Sequence, residues 1–151
     1  MADEEIVRVR QAKLEDVPQI VGLLEVLFTI EADFCIDKEK QTRGVELLLA
    51  DKGACALVAV LQDKVVGLIT IQRLISTAEG GYVGLIEDVV VDGQSRKKGI
   101  GKQLEKAACS WALEKGLLRL QLLADSSNSS ALNFYSRLGW KETNLVALRK
   151  R

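Results

Sequence analysis

Apolar residues along the chain follow two periods that alternate. Ile6, Val7 and Val9 form a short extended run ending near Gln11, which predicts a first strand. From Leu14 the period changes. Val17, Ile20, Val21, Leu24, Leu27 and Phe28 recur on one face of a 3.6-residue repeat, with Glu15 and Asp16 in the first turn and Pro18 where a helix tolerates it. A second helix is predicted over about 37–50, with Asp37 as its N-cap and Val45, Leu48 and Leu49 turned inward. The segment TIEADFCI between them offers two acids and an aromatic expected to be exposed.

Period-two and continuous apolar runs follow. Cys55–Leu61 and Lys64–Leu74 read as strands joined by a tight hairpin at Gln62-Asp63-Lys64, and Ser76–Gly81 as a loop. Tyr82–Val91 is a third apolar strand, broken by Glu87-Asp88. Gly99–Glu114 is helical, with Ile100, Leu104, Ala107, Ala108 and Trp111 on one face and Gly116 beyond its end. A strand at Leu117–Ala124, a helix at Asn128–Leu138 and a short strand at Asn144–Leu148 complete the order β-α-α-β-β-β-α-β-α-β. Without repeat or linker, this is a single mixed α/β domain over residues 1–151.

Composition narrows the chemistry. The chain has no histidine, so imidazole metal ligation and a Ser-His or Cys-His nucleophilic pair are excluded. Cys35, Cys55 and Cys109 are odd in number, far apart and never CxxC, which suggests neither a disulfide framework nor a metal site. No apolar run approaches the ~20 residues of a membrane span, and MADEEIVRVR is unlike a targeting peptide, so a cytoplasmic protein is expected. The formal net charge is zero, yet residues 1–50 carry 6 basic and 11 acidic side chains and residues 51–151 carry 15 and 10. The zero sums two unlike halves.

Part of the basic excess is concentrated in one place. Val89-Val90-Val91 runs into Asp92-Gly93-Gln94-Ser95-Arg96-Lys97-Lys98-Gly99-Ile100-Gly101-Lys102, a strand entering a glycine-containing basic loop that opens a helix. Arg96, Lys97, Lys98, Lys102 and Lys106 oppose Asp92 and Glu105, a local charge of +3. Unpaired N–H groups in a helix's first turn, its positive dipole end and glycine together suit a polyphosphate. A Walker A loop fails because Gln103 follows Gly101-Lys102 and Arg96 stands at the first glycine position. A dinucleotide fingerprint fails because Leu104 takes its third glycine position.

Arg96-Lys97-Lys98-Gly99-Ile100-Gly101 resembles the Q/R-x-x-G-x-G/A loop of the GNAT superfamily of N-acetyltransferases. Asn128-Ser129-Ser130-Ala131-Leu132-Asn133-Phe134-Tyr135-Ser136-Arg137-Leu138-Gly139-Trp140 is similar to its N-x-x-A-x-x-F/L-Y-x-x-x-G-F/W segment, and Val9-Arg10-Gln11-Ala12 with Glu15-Asp16 to its usual opening. The family often has a proline before the loop, where this chain has Asp92-Gly93. The resemblance implies a mostly antiparallel central sheet with a splayed strand pair, flanked by helices. It implies acetyl-CoA as co-substrate, with no metal, held by Val89, Val90, Val91, Arg96, Lys97, Lys98, Gly99, Ile100, Gly101, Lys102, Asn128 and Tyr135.

On that resemblance the Val89 amide polarises the thioester carbonyl as an oxyanion hole would, and Tyr135 protonates the departing thiolate. Ile86-Glu87-Asp88-Val89 resembles the L-E-D stretch of diamine and polyamine acetyltransferases, where the glutamate is the base, which nominates Glu87. Strand alternation would send Glu87 and Asp88 to opposite faces unless a bulge intervenes. The loop between the first two helices often covers the acceptor, which makes Glu31, Asp33 and Phe34 candidates to receive a cationic amine. The expected activity is transfer of acetyl to a primary amine, on a small molecule or peptide, by direct attack in a ternary complex. The alternative is a catalytically silent CoA-binding regulatory module. Nucleic-acid binding lacks interleaved aromatics and a broad basic face. Homodimerisation through Asn144–Leu148 is a further implication of the family.

Overall fold

The computed structural model describes residues 5–31 and 34–151, which fall into two compact units, Met1–Gln121 and Leu122–Arg151. In the first, strand β1 (Arg8–Gln11) leads through a 3-10 turn at Leu14–Asp16 into helix α1 (Val17–Ile30) and then helix α2 (Lys38–Ala50). Arg10 pins this entry by donating to both carboxylate oxygens of buried Asp16, at 2.7 and 2.9 Å, while the Lys13 N–H donates to the same carboxylate. The Arg10 hydrogen bonds hold the Asp16 carboxyl below the ordinary aspartate value. Asp37 caps α2, its carboxylate accepting from the Lys40 N–H.

Strands β2 (Ala54–Leu61), β3 (Lys64–Ser76) and β4 (Gly81–Val91) form an antiparallel meander, with β1 antiparallel to β2 at the edge. The β2–β3 connection is the expected tight hairpin. Gln62 and Asp63 both have positive φ, 50° and 60°, the paired left-handed conformation of a two-residue turn that follows the strand twist. Helix α3 (Ile100–Glu114) and the short strand β5 (Leu120–Leu122) follow β4. The sheet order is β1-β2-β3-β4-β5. Beside β5, the Gly84 N–H donates to the Arg119 carbonyl and the Leu118 N–H to the Tyr82 carbonyl, so the two chains run in the same direction. The sheet is therefore mixed.

Alternation along the strands distributes two apolar layers. Ala56, Val58, Leu68 and Val90 join Ile20, Val21, Leu24 and Leu27 of α1 and Val45 of α2 in one cluster. On the other face α3 presses onto Gly67, where an added Cβ would meet Leu104 Cδ1 at 2.9 Å and Ile100 Cγ2 at 3.2 Å. A glycine at this point lets the start of α3 approach the sheet backbone. Leu104, fully buried, contributes roughly 1.5–3 kcal/mol there.

In the second unit, α4 (Ser129–Arg137) begins at Asn128, whose side-chain oxygen accepts from the Ala131 N–H. Two strand expectations are corrected. The run expected over Leu117–Ala124 is extended in a ladder at Leu120–Leu122 alone, and Asn144–Leu148 is not a strand. Leu145, Val146 and Leu148 are 76%, 80% and 93% exposed, so among the described residues they have no packed face to make pairing favourable.

Candidate functional site at the end of β4

Glu87 and Asp88 occupy a break in the β3–β4 ladder. Ile71 pairs with Ile86 and Ile69 with Val89, so two residues of β4 stand opposite the single residue Thr70. That is a β-bulge, and it corrects simple alternation. Ile69 and Ile71 point to the α3 side and Thr70 to the α1/α2 side, so both carboxylates fall on the α1/α2 side with Thr70. Glu87 is exposed and Asp88 half-buried. Thr70 Oγ1 donates to Asp88 Oδ2 at 2.8 Å and accepts from the Asp88 N–H at 3.0 Å. Burial pushes the Asp88 carboxyl up from 3.8 to about 6, against the Thr70 hydrogen bond and with help from the Glu87 charge.

Hydrogen-bond alternation sets the direction of the β4 amides beyond the bulge. The Asp88 N–H turns toward Thr70 of β3, and the Asp92 N–H donates to the Val66 carbonyl at 2.8 Å. Both point at β3, so the intervening Val89 and Val91 N–H groups point to the opposite edge of the strand, while Val90 bonds inward. The strand then passes into a 3-10 turn at Gly93–Ser95. Arg96 folds back to donate from Nε to the Val91 carbonyl at 3.4 Å.

The basic loop has two left-handed residues, Lys97 at φ 64° and Gly99 at φ 75°. Alternating left-handed residues curl successive amides into a concavity that accepts anions. Gly99 is the N-cap of α3, and a Cβ at either Gly93 or Gly99 would meet nothing within 4 Å, so the backbone is open to approach. Lys97, Lys98 and Lys102 are exposed, whereas the Ile100 side chain is 2% exposed and anchors the helix start. Lys98 forms a 2.6 Å ion pair with Glu5, a partner 93 residues upstream that no local pattern announces.

Glu31 follows the last residue of α1 in an extended conformation. Phe34 is half-buried, its ring tilted 43° against that of Phe28 with centroids 5.2 Å apart, rather than the exposed aromatic expected. Asp33 lies outside the described residues. Asn128 and Tyr135 belong to the second unit, where Asn128 is an N-cap and Tyr135 lies between Phe134 and Trp140 with centroids at 5.2 and 6.0 Å. Burial pushes the Cys55 and Cys109 thiols each up to about 11, with Glu105 adding to the effect at Cys109, so neither is a thiolate near neutrality. Thr70 was missed in the sequence; its signal was a lone hydroxyl in the apolar run of β3, 2% exposed in the fold.

The chain is similar in sequence to known acetyltransferases and in fold to solved ones. Streptothricin acetyltransferase A of Bacillus subtilis (strain 168) is 34% identical over 87 residues, covering 58% of this chain and 47% of that enzyme, so the match spans less than half the relative's length. Aminoalkylphosphonate N-acetyltransferase of Salmonella typhimurium is 25% identical over 139 residues, 92% of this chain and 88% of that protein. The structure of aminoglycoside N-acetyltransferase AAC(6')-Iy in complex with CoA superposes with a TM-score of 0.87, covering 100% of this chain and 98% of the other at 18% identity, which shows the fold alone. The model of the acetyltransferase (GNAT) family matches residues 21–140, from α1 through the bulged strand and basic loop to the end of the α4 motif, and the chain belongs to that family.

Proposed function

We propose that this chain is an acetyl-CoA-dependent N-acetyltransferase that acetylates a primary amine by direct attack in a ternary complex. The observation that carries the reading is the junction of β4 with the basic loop. Val89 and Val91 N–H groups face away from β3, directly before an open concavity flanked by left-handed Lys97 and Gly99. Such a surface fits an extended amide-bearing arm followed by a pyrophosphate. Acetyl-CoA, when bound, supplies an activated thioester. Val89 donates to its carbonyl oxygen, where negative charge develops as the amine nitrogen attacks.

Glu87, exposed on the α1/α2 face, accepts the amine proton directly or through water. An amine of pKa near 10 is neutral in about one molecule per thousand at pH 7, so this step contributes materially. As the C–S bond breaks, Tyr135 gives its phenolic proton to the sulfur and recovers one from solvent. The raised Cys55 and Cys109 thiols support direct attack over an acetylated cysteine. Glu31, Asp33 and Phe34 form the acceptor's cationic recognition surface in the same proposal. A cytoplasmic homodimer covering Leu145, Val146 and Leu148 is also part of it; among the described residues no helix is long and apolar enough to cross a membrane.

The test is thiol release from acetyl-CoA across a panel of polyamines, aminoglycosides, aminoalkyl compounds and peptide amino termini. Amine-dependent release with intersecting initial-rate patterns is expected. Parallel patterns would require an acetyl-enzyme, and no release with any amine would favour a silent CoA-binding module.

A further inference from the structure

Thr70 is among the few polar residues buried in the first unit, and its hydroxyl is used twice by one residue. In an unbroken ladder the Asp88 N–H would meet a main-chain carbonyl of β3. At the bulge the Thr70 hydroxyl takes that N–H and returns its own proton to the Asp88 carboxylate, closing a small ring across the two strands. The residues on either side are the ones the acetyl-transfer reading needs. Glu87 precedes Asp88 in the bulge and Val89 follows it.

We propose that Thr70 and Asp88 are a positioning pair that sets the bulge of β4, and that the proton state of Asp88 controls how the Val89 N–H and the Glu87 carboxylate are presented. This rests on the reading of function above. The ionised carboxylate fixes the direction of the hydroxyl proton, because a charged acceptor makes the stronger hydrogen bond. Protonation removes that preference. The acid's own O–H then competes to donate to a hydroxyl that already accepts the Asp88 N–H, and the ring loosens. Its titration falls near neutrality, at about 6. The elements packed against β4 carry Lys64 and Arg73 on β3, Glu25 on α1, and Lys102, Glu105, Lys106 and Glu114 on α3. The ionised group that bears on Asp88 is Glu87, its neighbour in the bulge.

The experiment combines carboxyl and amide NMR titrations of the whole chain with the pH profile of kcat/KM. In wild type, the Asp88 carboxyl and the Val89 amide should titrate together near pH 6, with an acid limb of activity at the same pH. Thr70→Val removes the hydrogen bond that favours the carboxylate and should move all three upward by about half a unit or more. Thr70→Ser should restore them. Asp88→Asn, whose side-chain oxygen still accepts from Thr70, should abolish both the Val89 titration and that limb. A Val89 amide indifferent to Asp88, or an unmoved limb in Thr70→Val, would overturn the proposal. If Thr70→Val does not fold, Thr70→Ser and Asp88→Asn decide it. Absence of acetyl transfer by wild type with every amine would sink the functional reading instead, while the shared titration of Asp88 and Val89 still stands or falls by itself.

Discussion

Replacing Asp88 with Asn should make the protein more stable at neutral pH, and by an amount that depends on pH in a defined direction. Asparagine keeps the acceptor for the Thr70 hydroxyl and loses the charge that burial opposes. The native carboxyl titrates at about 6 against 3.8 for an ordinary aspartate. The folded chain therefore holds its proton over a window in which the unfolded chain has released it. Stability associated with Asp88 is greatest below about pH 4 and declines as pH rises through about 6. Two pKa units correspond to about 3 kcal/mol, the order of the full effect above that window.

Urea denaturation of wild type and Asp88→Asn at several pH values between 4 and 7.5 reads this directly. Asp16, whose carboxyl is held low by Arg10, contributes stability that is lost as pH falls, but it does so in both proteins and cancels in the difference. The stability of wild type relative to Asp88→Asn should fall by about 2.5 kcal/mol from the acidic to the neutral end, with m-values matched. A difference independent of pH, or one that grows in favour of wild type toward neutrality, would refute the assignment of a raised carboxyl at the bulge.

Two further outcomes follow from the site. Lys97→Gly relieves a left-handed lysine at φ 64° and should change folding stability by no more than about 1 kcal/mol in denaturant, the relaxed strain offset by glycine's larger unfolded-state entropy. It should weaken acetyl-CoA binding at low salt by removing one of the loop's cations, and unchanged affinity would remove the Lys97 side chain from the phosphate site. Tyr135→Phe should lower kcat roughly a hundredfold or more with little change in the Kd for CoA. Stopped-flow turnover equal to wild type would exclude Tyr135 as the acid.

The strand–loop–helix unit was legible because Val89–Val91 and the face of Ile100, Leu104 and Ala108 bracket a glycine-containing basic loop, and both apolar runs became core or near-core. The hairpin at Gln62-Asp63 was legible for a similar reason: two strand-like runs left room for two residues only. The bulge was harder. One inserted residue reverses alternation locally, and in Ile86-Glu87-Asp88-Val89 either register leaves apolar residues facing the core. Asn144–Leu148 misled because a short apolar run, Leu145 to Leu148, states a preference for a buried surface and not the existence of a partner strand. The Phe34 ring, expected in solvent, found Phe28 six residues upstream, a contact set by the turn after α1 rather than by any period.

The donor site is the centre of the functional reading, and calorimetric titration of acetyl-CoA into the intact chain tests it most directly. One site per chain is expected, with affinity that falls as salt rises, as binding to the Arg96–Lys102 loop requires. Absence of binding at millimolar acetyl-CoA, or affinity insensitive to salt and to Lys97→Gly, would contradict it.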